Sequence, residues 1–193
     1  ISQMVDTPAA IENLNGFSIR ASSGSHTLER GTGLSPVGPA TLRTCATCRL
    51  TANVSTWFGV RSTGTRVEEG ISYVLSAWIS HNVAGWRDVQ VVAAWRDSDG
   101  ALISESASGY ASLFAPGGGT PSGWERLAAV GVAPAGAETV DIEARVTNGG
   151  GNGQYMRATG FMAHEGTGVA PFVSMVKELH AQGGGGDPRR YTL

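Results

Sequence analysis

Residues 65–94, TRVEEGISYVLSAWISHNVAGWRDVQVVAA, constrain the fold of this chain more than any other stretch. Residues 71–80 are apolar at most positions, Gly85-Trp86 breaks the run, and residues 89–95 resume it. β-Branched and aromatic side chains suit a pleated, half-buried surface, and the turn at Glu68-Glu69-Gly70 feeds directly into such a run. Two antiparallel strands joined by a short loop are expected. The rhythm then repeats downstream. Asp97-Ser98-Asp99-Gly100 lies between apolar runs and reads as a hairpin turn. As an EF-hand calcium loop it would put Trp95 at the first ligand position and Ser106 at the last, so the turn reading is preferred. Residues 123–132, 138–147 and 155–162 supply further strands, separated by Pro134-Ala135-Gly136-Ala137 and by the glycine-rich residues 148–153. In residues 138–147, Val140, Ile142, Ala144 and Val146 share one face, which leaves Thr139, Asp141, Glu143 and Arg145 for a solvated side.

Upstream, residues 17–21 are a short strand, residues 22–39 a long Gly/Ser/Pro loop, and residues 41–60 one or two strands, 41–44 and 49–55. Residues 110–121, with three consecutive glycines, form a second long loop. Residues 1–16 read as an arm. At the other end, Phe172, Met175, Val176 and Leu179 fall at helical spacing within PFVSMVKELH, and the glycines at 183–186 tether a polar tail. A helix this short needs a surface to dock on, so these four residues are the assembly candidates. The expected organisation is an arm over 1–16, a β domain over 17–168, and a helix with tail over 169–193.

Charge excludes some partners. The net charge is −2, Lys177 is the only lysine, and the arginines are scattered, so no basic face is offered to nucleic acid. No apolar run reaches the roughly 18 residues of a bilayer span, and a membrane partner is not expected. Cys45 and Cys48 stand as CATC without the second pair that zinc requires, so no metal or other cofactor is expected. In an extended segment the two Cα atoms lie about 10 Å apart, too far for a disulfide. The expectation is two thiols, one buried and one not.

Eight or nine short strands with Gly/Pro turns point to an all-β, jelly-roll β-sandwich. Specific residues sharpen this. The succession Val67-x-x-Gly70-x-x-Tyr73-x-x-Ser76-Ala77-Trp78-Ile79, Val91-x-x-x-Trp95-x-Asp97-x-x-Gly100, Gly123-Trp124-Glu125-Arg126-Leu127 and Ala133-Pro134-Ala135-Gly136-Ala137 resembles the carbohydrate-binding-module-like jelly rolls. Such domains accompany secreted glycoside hydrolases and occur in bacteriophage tail proteins. The resemblance covers about residues 40–165. It departs at the last strand, where Tyr155 is followed by Met156-Arg157-Ala158-Thr159-Gly160 and the carboxylate of a structural calcium site is missing.

The resemblance implies a noncatalytic structural module of a phage virion, most naturally in the tail, with host-surface glycan as candidate ligand. Its partners would be other virion proteins or its own copies, held through the terminal arms. A carbohydrate-binding module of a secreted glycoside hydrolase, or a capsid decoration protein without sugar binding, are the alternatives. Sugar recognition needs exposed aromatic faces and a few placed polar groups. Trp57, Trp86, Tyr110 and Phe114, at loops or strand ends, are the glycan candidates, whereas Trp78, Trp95 and Trp124 are assigned to the core. No catalytic residue is nominated: Glu68-Glu69 is a turn, no G-x-S-x-G occurs, and His81 reads as a loop residue.

Overall fold

The computed structural model describes residues 2–4, 14–32, 44–52, 55–115, 123–147 and 151–166. Twelve strands dominate it, and among the described residues there is no α-helix. In chain order they are β1 (Ser2–Met4), β2 (Phe17–Ala21), β3 (Ser25–Thr32), β4 (Thr44–Ala52), β5 (Trp57–Arg66) and β6 (Ser72–His81). There follow β7 (Gly85–Arg96), β8 (Leu102–Ala107), β9 (Ala111–Ala115), β10 (Glu125–Val132), β11 (Thr139–Thr147) and β12 (Tyr155–Glu165). One six-stranded sheet has the order β10-β6-β12-β4-β3, with β1 also on β12; the other has β2-β5-β11-β7-β8, with β9 also on β7. All pairings are antiparallel. The two sheets close face to face as a jelly-roll sandwich.

Period-two patterning fills the space between the sheets. Tyr73, Leu75, Ala77 and Ile79 point inward from β6, Val89, Val91, Ala93 and Trp95 from β7, and Val140, Ile142, Ala144 and Val146 from β11. Burying each of the larger aliphatic side chains contributes about 1.5–3 kcal/mol. Trp95 is fully buried and donates its indole N–H to Ser106 Oγ at 3.0 Å, so its one polar atom is satisfied. Gly131 on β10 lets that strand close over it, because a Cβ there would lie 2.6 Å from Ser106 Oγ and 2.9 Å from Trp95 Cζ2.

Several expectations need correction. The runs at 71–80 and 89–95 do form consecutive strands, but they do not pair with each other: β6 belongs to one sheet and β7 to the other. Each is already flanked on both edges, β6 by β10 and β12, β7 by β11 and by β8 with β9. Near-continuous apolarity here marks a strand at the middle of a sheet, where the hairpin reading took it for a local pair. The Asp97–Gly100 turn does join a paired hairpin, β7 with β8, and the Asp97 carboxylate accepts the backbone N–H groups of Asp99 and Ala101. Within the expected loop at 22–39 lies β3, and within that at 110–121 lies β9. A weak strand signal suffices for both because each leans on a long partner, β4 and β7 respectively. Residues 44–52 form the single strand β4. The expected helix, with Phe172, Met175, Val176 and Leu179, lies outside the described residues.

Both cysteines are buried and free. Cys48 faces the core, while Cys45 faces the outer side of its sheet beside Thr47. Burial pushes the Cys48 thiol up to about 12 and raises that of Cys45 as well. Trp95 is core, but Trp78 is not. It lies on the outer face of its sheet opposite Arg126 and Thr159, and is half-buried there.

Candidate functional site

The outward face of the sheet β2-β5-β11-β7-β8/β9 gathers the polar and aromatic side chains of greatest interest. Because the inward positions of each strand are fixed by the core, the outward ones follow from alternation: Ser18 and Arg20 on β2, Trp57, Gly59 and Arg61 on β5, and Asp141, Glu143, Arg145 and Thr147 on β11. On β7 they are Trp86, Asp88, Gln90, Val92 and Ala94, and on β9 Ser112 and Phe114. Register sets them in rows. Arg20 opposes Gly59, which opposes Arg145, which opposes Gln90. Trp57 opposes Thr147, Asp88 opposes Ser112, and Trp86 opposes Phe114.

The floor of this face is ionic and buried, which overturns the expectation of a solvated side on β11. Glu143 is fully buried and Asp141 nearly so, since arginines from neighbouring strands lie over them. Arg145 Nε and Nη2 donate to Glu143 Oε2 at 2.9 and 2.5 Å, Nη2 also reaches Glu105 Oε1 at 2.9 Å, and Arg20 Nε stands 3.2 Å from Glu143 Oε1. Asp141 accepts from Arg96 Nε, lies 3.3 Å from Arg61 Nη1, and accepts the Gly64 N–H at 3.1 Å. Burial works against the charge of Arg145, but Glu143 and Glu105 outweigh it and raise its pKa. Buried charges persist only when paired and hydrogen-bonded, and here the pairs join five strands, β2, β5, β11, β7 and β8.

Gly59 makes this floor possible. A Cβ there would meet the Ala144 carbonyl oxygen at 2.0 Å and the Arg145 Cα at 3.0 Å, so only glycine lets β5 lie this close to β11 in the row between Arg20 and Arg145. Into this neighbourhood comes Trp57, whose ring centroid is 4.5 Å from Arg145 Cζ. At the far end, Trp86 and Phe114 are 65% and 50% exposed, with centroids 5.4 Å apart and planes tilted by 51°. Beside them Ser112 donates to Asp88 Oδ1 at 2.6 Å, and Thr147 donates to the Asp88 carbonyl.

Trp57, Trp86 and Phe114 therefore share one face, and exposed Tyr110 directly precedes β9. Trp57 and Trp86 are separated by one intervening strand and by two residues along β7, on the order of 12 Å from the strand spacing and rise. The ionic residues between them were missed in the sequence. The alternation of Asp141, Glu143 and Arg145 was visible, but their arginine partners come from positions 20, 61 and 96, which only the register brings together. His81 is the last residue of β6 and is buried, its Nε2 3.2 Å from the Leu113 carbonyl oxygen under β9. Burial lowers its pKa. Among the described residues no group of histidine, cysteine and carboxylate side chains could hold a metal ion.

Solved structures share this architecture. A two-module fragment of endo-1,4-beta-D-xylanase 10B from Clostridium thermocellum, a CBM22 module joined to a GH10 module and complexed with xylohexaose, superposes with a TM-score of 0.62 at 13% identity, over 86% of this chain and 29% of that one. The C-terminal family 22 carbohydrate-binding module of the same enzyme matches with a TM-score of 0.58 at 10% identity, over 85% of this chain and 95% of its own. The chain has the fold of a carbohydrate-binding-module jelly roll. The same jelly roll matches the enzymatically active domain of bacteriophage CBA120 tailspike protein 4, with a TM-score of 0.55 at 15% identity, over 86% of this chain and 21% of that one. The chain thus spans less than a third of the two-module xylanase structure and of the tailspike structure, and nearly all of the isolated module. No family model matches the sequence, and no curated protein does.

Proposed function

We propose that this protein is a noncatalytic glycan-binding module that acts outside the cell, with its ligand on the outer face of the sheet carrying Trp57, Trp86 and Phe114. The observation that carries this is the convergence of three aromatics on one face around a polar floor. A sugar ring stacks its apolar side on such aromatics while its hydroxyls meet polar groups such as Gln90, Asp88 and Ser112. Tyr110, at the rim, belongs to the same candidate set. The 51° tilt between Trp86 and Phe114 means that no flat surface can stack on both, which favours a single glycan chain over a crystalline face. Noncatalytic action fits the ionic floor. A glycosidase needs one carboxyl that delivers a proton, and Asp141 and Glu143 are each engaged by two guanidiniums.

The deciding experiment is a soluble-glycan array, with xylohexaose and bacterial surface polysaccharides included, read against W86A and F114A. Binding by the intact chain that both substitutions abolish, with unchanged thermal midpoint, is the expected result. No binding to any glycan, or binding indifferent to both substitutions, overturns the proposal.

The tailspike likeness favours a second reading, in which the module is a built-in part of a phage tail that contacts host glycan and neighbouring virion proteins. Phe172, Met175, Val176 and Leu179 would then serve assembly. Light scattering on the intact chain and on residues 14–168 tests it: an oligomer that trimming converts to a monomer supports the reading, and a monomer in both removes it.

A further inference from the structure

Arg145 is held from two strands and presses on a third. Glu143 lies two residues before it on β11 and Glu105 comes from β8, and together they take donors along the edge of its guanidinium. A guanidinium bound along its edge keeps its flat face free. Its Cζ lies over the Trp57 ring on β5, 4.5 Å from the ring centroid. The Arg145 side chain is only 14% exposed and that of Glu143 not at all, so the stack is anchored in the floor rather than floating on the surface. A carboxylate that fixes a cation, which in turn fixes a ring, removes rotamer freedom before any ligand arrives.

We propose that Arg145 is the positioning residue of a Trp57 subsite: it fills one face of the indole and leaves the other face alone for a sugar. This rests on the glycan-binding reading above. The consequence for specificity is that Trp57 offers a one-sided platform, so the bound chain lies across it and is not gripped between Trp57 and a second ring. Arg145 touches no ligand in this scheme. Glu143 and Glu105 act one step further back, through Arg145.

The test uses the intact chain labelled with fluorotryptophan and read by fluorine NMR, with the Trp57 resonance assigned from W57F. R145M keeps the unbranched stem and removes the guanidinium. It should shift and broaden the Trp57 resonance while leaving that of core Trp95 in place. It should also weaken xylohexaose binding by about tenfold, the scale of a desolvated cation–π contact. In a W57A background R145M should cost nothing further. An unmoved Trp57 resonance, or an equal loss of affinity with and without Trp57, overturns the proposal. If the intact chain binds neither xylohexaose nor any glycan of the array, the glycan reading falls, and the NMR measurement still decides whether Arg145 holds the ring. Should R145M fail to fold, E105Q carries the test, because Glu105 is 37% exposed and its amide leaves the core intact. A smaller displacement of Trp57 in the same direction is then expected, and none refutes the anchoring.

Discussion

Replacing one buried carboxylate by its amide measures how far the ionic floor stabilises the sandwich. Asp141 has a side chain 4% exposed and meets Arg96, Arg61 and the Gly64 N–H. D141N keeps the shape and one acceptor but removes the charge, and it turns an NH2 group toward two guanidiniums. Removing one partner of a buried pair costs about 3–5 kcal/mol. Arg61 and Arg96 are 21% and 16% exposed, so water still reaches them and the lower end, about 3 kcal/mol, applies. For a chain of this size that corresponds to a fall of about 6–12 °C in Tm. The control is E29Q on the opposite sheet. Glu29 and Arg49 meet at 2.9 Å, a good geometry, yet their side chains are 41% and 36% exposed. Exposed pairs are worth at most about 1 kcal/mol, or a few degrees. Calorimetry and urea unfolding on both variants give the comparison. Equal shifts in the two, or a fall below about 3 °C for D141N, would refute the argument that burial sets the value of these pairs.

Three further outcomes follow from particular residues. G59A should lower stability by about 3 kcal/mol, the upper end for overpacking, since its new Cβ collides with backbone that is locked in the β5–β11 ladder; an unchanged urea midpoint would contradict this. Cys45 and Cys48, with thiols buried and pKa values raised, should resist an aromatic disulfide reagent at mildly alkaline pH until urea is added. Rapid modification of the folded chain would show that the strand β4 opens. His81 has a folded pKa below its ordinary 6.5, so the unfolded chain binds the proton more readily and stability falls as pH drops below that value. Thermal midpoints measured downward from neutral pH should decline, and H81Q should flatten the slope; identical profiles for both chains would exclude His81 as the source.

The fold was legible in the sequence wherever a strand carries its own signal. Residues 138–147 alternate cleanly, and residues 71–80 and 89–95 are apolar enough to be read as strands without a partner. What escaped was pairing. Two neighbouring apolar strands are as consistent with a hairpin as with a crossover between sheets, and only the competition for edges among all strands decides between them. β3 and β9 escaped for a related reason. β3 has a single aliphatic residue, Leu28, and β9 is only five residues long, and partner strands hold both extended. The aromatics of the candidate site could be picked out by type, because Trp86, Tyr110 and Phe114 interrupt polar, glycine-rich surroundings. The ionic floor could not, because Arg20, Arg61, Arg96 and Asp141 span more than half of the chain and meet only through register.

The pairing of β1 with β12 has a mechanical side. Ser2 faces His164 and Met4 faces Met162, so the first described strand lies against the last, one strand spacing away. A pull applied at these two neighbouring points acts across the ladder, not along it, and loads its hydrogen bonds one after another. Such a joint peels at low force. Under tension β1 should yield first, while the cross-strand ion pairs and the double-sheet core stay in place as the body of the module.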